Sequence, residues 1–294
     1  MNTRKRKYTT TILATALLFS LGGCVKDELH NTPHPDTGKI TVTADWTDRG
    51  DGVDIPAEWT VTMGDYTGTE TGTTHTPDYL FNPGSYTLAA YNTPENITVS
   101  GTTATVAPET GNGTYISNVP GWLFTSVQDV TIEADTDYGL TAAMHQQVRQ
   151  LTLVIEPTGD AADRIESIEG SLSGAAGKLD FATGAYGAAS DVALHFTKIT
   201  EGSDAGKWTA TVRLLGIAGD TQRLTATLTY ADGNPADTGL ESDLTAALAD
   251  FNADKTEPLT LGGTIAETPE ETEFSGFEIT GWETVEGGDA SAEM

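Results

Sequence analysis

The chain has one cysteine, Cys24, and the residues around it state one reaction outright. Cys24 closes the run Leu21-Gly22-Gly23-Cys24, which has the form of a lipobox. The small residues Gly22 and Gly23 let a signal peptidase approach the backbone. The Cys24 thiol is then the nucleophile that takes a diacylglyceryl group. Upstream lie the basic residues Arg4, Lys5, Arg6 and Lys7, followed by an apolar stretch from Tyr8 to Leu21. That stretch is too short to span a bilayer comfortably, so residues 1–23 read as a lipoprotein signal peptide. An exported chain with one cysteine forms no internal disulfide, and acylation disposes of the lone thiol.

The remaining chemical inventory is poor. His30 and His34 stand in a Pro-rich segment, His75 in a Thr-rich loop, His145 ahead of a strand, and His195 on a face expected to meet solvent. Neither Gly-x-Ser-x-Gly nor His-Glu-x-x-His occurs. The carboxylates are scattered through loops and polar faces. No catalytic residue, metal ligand set or cofactor is expected, and the chain does not read as an enzyme. One acidic segment, Asp48-Arg49-Gly50-Asp51-Gly52-Val53-Asp54, has three readings. It contains the integrin-binding tripeptide Arg-Gly-Asp. It could hold calcium, although its spacing is not that of an EF-hand loop. It could also be a charged turn after a strand, which is the usual use of such residues.

Removal of residues 1–23 takes away four basic residues and no acid. The mature chain then has 11 basic residues against 43 acidic ones, a net charge of −32. Such a chain lacks the clustered Lys and Arg that nucleic acid requires. It also has little to offer an anionic lipid surface through its own side chains.

Short alternating segments supply the elements. Ile40, Val42, Ala44 and Trp46 point one way, and Thr41, Thr43, Asp45 and Thr47 the other, which predicts a half-buried strand. The pattern recurs at Trp59–Met63, Ser85–Tyr91, Val148–Ile155, Val192–Phe196, Trp208–Leu214 and Leu224–Tyr230. One helix is expected. It would be capped by Ser242 or Asp243, with Leu244, Ala247, Leu248 and Phe251 at helical spacing. Glu156-Pro157-Thr158-Gly159-Asp160 interrupts the alternation, and the domain boundary is expected there. Residues 24–38 form a polar tether, 39–156 an N-terminal β-sandwich domain, and 157–294 a C-terminal β-sandwich domain ending in a polar tail.

Several stretches resemble known sequences. Lys26-Asp27-Glu28, which begins two positions after the lipid cysteine, resembles the surface-export signal of Bacteroidetes lipoproteins. Ile40-Thr-Val-Thr-Ala-Asp-Trp46, Leu80-Phe-Asn-Pro-Gly-Ser-Tyr86, Tyr91-Asn92, Pro120-Gly-Trp-Leu-Phe124, the run Met144–Leu153 and Ile279-Thr-Gly-Trp282 resemble the fimbrillin superfamily of Bacteroidales. The likeness is greatest to its FimB-type fimbrial anchor branch. The resemblance implies two tandem transthyretin-like β-sandwich domains in a cell-surface fimbrial subunit. That subunit would be held in the outer membrane by the lipid on Cys24, palmitate included. Its implied partners are other fimbrial subunits, with a host or bacterial surface ligand as a further one.

In that family, stalk and tip subunits are cut after an arginine and lose their first strand. A neighbour's C-terminal strand fills the groove, while anchor subunits keep the lipid. Arg49 directly follows the first expected strand, and no other arginine lies between Cys24 and Arg149. It is therefore a candidate maturation site; the plain alternative is an exposed loop arginine. The competing function is a glycan-binding surface lipoprotein of a polysaccharide-uptake system, with Tyr115 and Trp122 as candidate platforms.

Overall fold

The computed structural model describes residues 36–108, 115–116, 119–159, 162–231, 233, 236–265 and 277–285. Nearly all regular structure in it is β-strand, as the alternation predicts. The strands are β1 (Lys39–Asp45), β2 (Trp59–Met63), β3 (Tyr66–Glu70), β4 (Thr74–His75), β5 (Gly84–Tyr91), β6 (Ile97–Ser100), β7 (Thr103–Val106), β8 (Tyr115–Ile116), β9 (Phe124–Ile132) and β10 (Asp137–Ala143). They continue with β11 (His145–Gln146), β12 (Arg149–Pro157), β13 (Ile165–Asp180), β14 (Ala185–Lys198), β15 (Trp208–Leu214), β16 (Arg223–Tyr230), β17 (Thr238–Asp243), β18 (Leu259–Ile265) and β19 (Phe277–Thr284).

Three sheets result. One has the order β10-β1-β4, the second β11-β9-β5-β2-β3. The third runs β6-β7-β13-β16-β17-β19-β18-β12-β15-β14-β8. The first two face each other across one core. It contains Ile40, Val42, Trp46, Trp59, Val61, Met63, Phe81, Leu88, Phe124 and Ile132. Most of these residues come from the inward side of an alternating strand, which is why the period of two survives into the structure; Trp46 follows β1 and Phe81 lies in the loop before β5.

The second core is larger and belongs to the third sheet. Leu151, Leu153 and Ile155 of β12, Val192 and Leu194 of β14, Val212 of β15 and Leu224 of β16 fill it. It also draws in residues from earlier in the chain: Ile97, Ala104, Val106, Ile116 and Leu123. Strand β12 itself pairs antiparallel with β15 and parallel with β18.

The expected helix is a correction. Ser242 and Asp243 end strand β17, and residues 245–253 form a run of turns instead. The amide of Leu248 reaches the carbonyl of Leu244, but Ala249, Phe251 and Ala253 reach only three residues back. Arg149 accounts for the tight end. Its guanidinium donates to the carbonyls of Asp250 and Phe251, which a continuing helix would need. The apolar face is still buried as expected, through Leu244, Leu248 and Phe251. The Asp243 carboxylate caps the amide of Thr245 at 2.9 Å. Among the described residues no helix is long and apolar enough to cross a membrane.

Candidate functional site

Leu21, Gly22, Gly23, Cys24, Lys26, Asp27 and Glu28 lie outside the described residues, as do His30 and His34. The described part of the candidate site is the first strand and the loop that leaves it.

Strand β1 is the middle of its sheet. All seven of its residues pair in parallel with β10, from Lys39 opposite Asp137 to Asp45 opposite Ala143. Its other edge is covered by the segment from Thr73 to Phe81. Val42 pairs with His75 and Thr43 with Thr74. The Ala44 amide donates to the Thr73 carbonyl at 2.8 Å, and Gly38 and Phe81 exchange two backbone hydrogen bonds. Ile40, Val42 and Ala44 are buried, and Trp46 packs edge-on against Phe124 at 5.6 Å. Burying a side chain such as Ile40 or Val42 stabilises by about 1.5–3 kcal/mol each. Strand β1 is thus a major share of the first core.

Beneath β4 lies a small polar cluster. His75 is buried, its Nε2 lies 2.6 Å from the Tyr66 hydroxyl, and its Nδ1 faces Glu70 at 3.5 Å. Burial pushes the Tyr66 phenol up. The backbone amides of Gly72 and Thr71 hold the Glu70 carboxyl below its usual range.

Arg49 follows β1 and is exposed, but its guanidinium is not free. Nε donates to the Val53 carbonyl at 3.0 Å and a terminal nitrogen donates to the Trp46 carbonyl at 2.9 Å. The Val53 amide closes the turn onto the Gly50 carbonyl. Gly50 is buried. Its amide donates to the Gln146 side-chain oxygen at 2.9 Å. A Cβ at Gly50 would stand 2.4 Å from the Thr256 carbonyl oxygen, so only glycine fits this close approach of two backbones. Gln146 completes the link by donating to the carbonyls of Val148 and Lys255. Alongside, His145 Nδ1 and the Asp48 carboxylate meet at 2.5 Å on the surface.

Two buried cations stiffen the base of this link. Arg149 donates to Glu257, Asp250 and Phe251 carbonyls and covers the Phe251 ring at 5.2 Å. Burial pulls its pKa down. Lys255 donates to the carbonyls of Gln147 and Leu215 and sits 4.7 Å from the Tyr186 ring. Burial, helped by the charge of Arg149, pulls the Lys255 pKa down to about 7. Burial pushes the Tyr186 phenol up to about 12.

The turn reading of Asp48–Asp54 thus describes the local structure. With Gly50 buried and Arg49 turned back on its own backbone, Arg-Gly-Asp is not presented as an extended tripeptide. Among the described residues no three His, Cys, Asp or Glu side chains could hold a metal ion together. His195 lies on a solvent face beside Glu169 at 2.6 Å. Trp122 is half-buried between the two cores, with the Arg213 guanidinium over its ring at 5.4 Å. Its ring is therefore already covered, while Tyr115 stands in the two-residue strand β8. Sequence reasoning missed Gln146, Arg149 and Lys255. The available signal was polar residues in the run Met144–Leu153 and just after the Leu244–Phe251 face, where apolar phase alone gave them no role.

The profile of the fimbrillin-A associated anchor proteins Mfa1 and Mfa2 matches residues 59–285. No curated protein matches the chain. Solved structures share its fold. A candidate adhesin from Bacteroides ovatus is 16% identical, with a TM-score of 0.57 over 86% of this chain and 94% of that one. The fimbrial anchor protein Mfa2 from Porphyromonas gingivalis is 13% identical, with a TM-score of 0.57 over 84% of this chain and 97% of that one. A candidate polysaccharide-binding protein from Bacteroides thetaiotaomicron is 13% identical, with a TM-score of 0.57 over 84% and 98%.

Proposed function

Since the chain belongs to the family of fimbrillin-A associated anchor proteins, we propose that it is a lipid-held foot of a surface fimbria and keeps its first strand. The signal peptide is cut before Cys24, the new N-terminal cysteine is acylated, and Lys26-Asp27-Glu28 direct the product to the cell surface. The chain then joins other fimbrial subunits by strand addition, in which main-chain hydrogen bonds give affinity and alternating side chains give register.

One observation carries this reading: the peptide bond after Arg49 is locked. A protease must draw several residues on each side of the bond into an extended strand. Here the Arg49 side chain is engaged with Trp46 and Val53, and Gly50 is wedged against Thr256 and held by Gln146. Cleavage would first require local unfolding of that segment. With the bond intact, β1 occupies its own seat between β10 and β4 and keeps that seat closed to a neighbour's strand. A subunit closed in this way suits the end of a fibre, where attachment rather than extension is needed.

Replacing Cys24 tests the anchoring half of this reading. The native protein is expected in the detergent phase of a phase partition of cell envelopes, and Cys24→Ala in the aqueous phase or the medium. Equal partition of both forms would refute lipid anchoring.

A further inference from the structure

Two adjacent large apolar side chains stand in solvent in the loop between β4 and β5: Tyr79, 42% exposed, and Leu80, 53% exposed. Tyr79 is held in place by its neighbours. The Tyr79 ring packs on Phe81 at 4.7 Å and on Tyr66 at 5.5 Å, and Phe81 itself is buried. Phe81 is also tied to the start of the fold, because it exchanges backbone hydrogen bonds of 2.8 and 2.9 Å with Gly38. Leu80 is therefore one residue from the point where the N-terminal segment enters the first sheet. Strand β1 then runs away from this pole, and the loop after it reaches the Gln146–Thr256 link. The Tyr79–Leu80 pair thus marks the pole opposite that link.

We propose that Tyr79 and Leu80 dip into the outer leaflet and seat the lipid-held protein upright on the membrane. The inference rests on the reading of Cys24 as lipidated. Gly38 follows Cys24 by ~14 residues, a length of chain that can reach at most ~48 Å. A leaflet lies within that reach of the pole. Tyrosine and leucine are suited to it: the ring and aliphatic chain enter the acyl boundary while the phenol stays at the headgroups. The lipid supplies the affinity, and the loop supplies orientation.

The rest of the pole limits the kind of surface. Asp36, Asp65, Asp78, Glu133, Asp135 and Asp137 are exposed there, with Lys39 as the counter-charge on β1. These carboxylates oppose an anionic surface, so the contact is apolar and suits a leaflet without net charge.

The test uses the full lipidated protein. Cys24 is the only native cysteine, and its acylation leaves an introduced cysteine as the one labelled site. An environment-sensitive dye is placed at Asp78→Cys, beside the pair, and in a second sample at Ser203→Cys, on an exposed loop of the third sheet. Both are reconstituted into phosphatidylcholine vesicles and checked by flotation. The expected result is a several-fold rise and blue shift of emission at position 78, little change at 203, and loss of the response at 78 in Tyr79→Ser/Leu80→Ser protein that still floats. Floating protein whose dye at 78 stays as wet as at 203 would overturn the docking loop alone. Protein that fails to float would overturn the lipid reading and the docking loop with it.

Discussion

The amide of Gly50 donates a 2.9 Å hydrogen bond to the side-chain oxygen of Gln146, 96 residues away in sequence. That bond ties the loop leaving the first strand to the segment joining the two cores. Its consequences can be measured.

Gln146→Ala removes the acceptor and leaves a buried amide without its partner, which costs about 1–3 kcal/mol. Limited trypsin digestion of the native protein should spare Arg49, whereas the variant should be cut after it. Mass spectrometry of the fragments reads the difference. Equal resistance in both proteins would remove Gln146 from the lock.

Gly50→Val introduces side-chain atoms where a Cβ alone would lie 2.4 Å from the Thr256 carbonyl oxygen. The loop must shift, at a cost of about 1–3 kcal/mol. A lower thermal midpoint and faster cleavage after Arg49 are both expected. Gly52→Ala is the contrasting variant: its φ of 75° strains a side chain, but nothing lies within 4 Å of the added carbon. It should cost about 1–3 kcal/mol and leave the Thr256 contact alone.

Within β1, Ile40→Ala should destabilise by about 2–5 kcal/mol, since Ile40 is buried in the first core. Thr43→Ala, on the exposed side of the same strand, should stay within about 0.5 kcal/mol. Urea unfolding followed by tryptophan fluorescence gives both values.

Lys255 and Tyr186 set a pH dependence. Lys255 titrates near 7 when folded and at its ordinary value of 10.5 when unfolded. Between those limits the unfolded chain holds the extra proton, so stability rises with pH through that window. Tyr186 titrates at about 12 when folded against 10 when unfolded. The folded chain then holds the extra proton, and stability falls as pH passes from about 10 to 12. Thermal midpoints from pH 6 to 12 should climb and then drop, and Lys255→Met should flatten the climb.

The strands were legible because half-buried strands write their burial into the sequence. Ile40, Val42, Ala44 and Trp46 are buried in the phase that their alternation predicts, and so are Leu151, Leu153 and Ile155. Sheet membership was not legible. Strand β12 joins β15 and β18 rather than the strands before it, and that choice rests on long-range pairing no local pattern carries. The helix expectation failed because Leu244, Leu248 and Phe251 give helical spacing to any compact run of turns with one buried side. At its end the run meets Arg149, about 100 residues earlier, which donates to the carbonyls of Asp250 and Phe251. The lock at Arg49 was half legible. The arginine and its position were visible, but its resistance depends on Gln146 and Thr256, which meet Gly50 only in the folded chain.

Arg49→Ala separates the two fates of that residue. If the first strand is retained, the variant should still reach the surface and hold fimbriae, with the loss of two guanidinium bonds costing about 1 kcal/mol each at most. Surface fimbriae counted by immunogold labelling should be unchanged.

The most direct measurement of the central claim is the N-terminus of the protein recovered from native surface fimbriae, read by mass spectrometry. The expected species begins at acylated Cys24 and carries strand β1 intact. A population beginning at Gly50 would contradict it, making the lipid a transport handle and the first strand a removable plug.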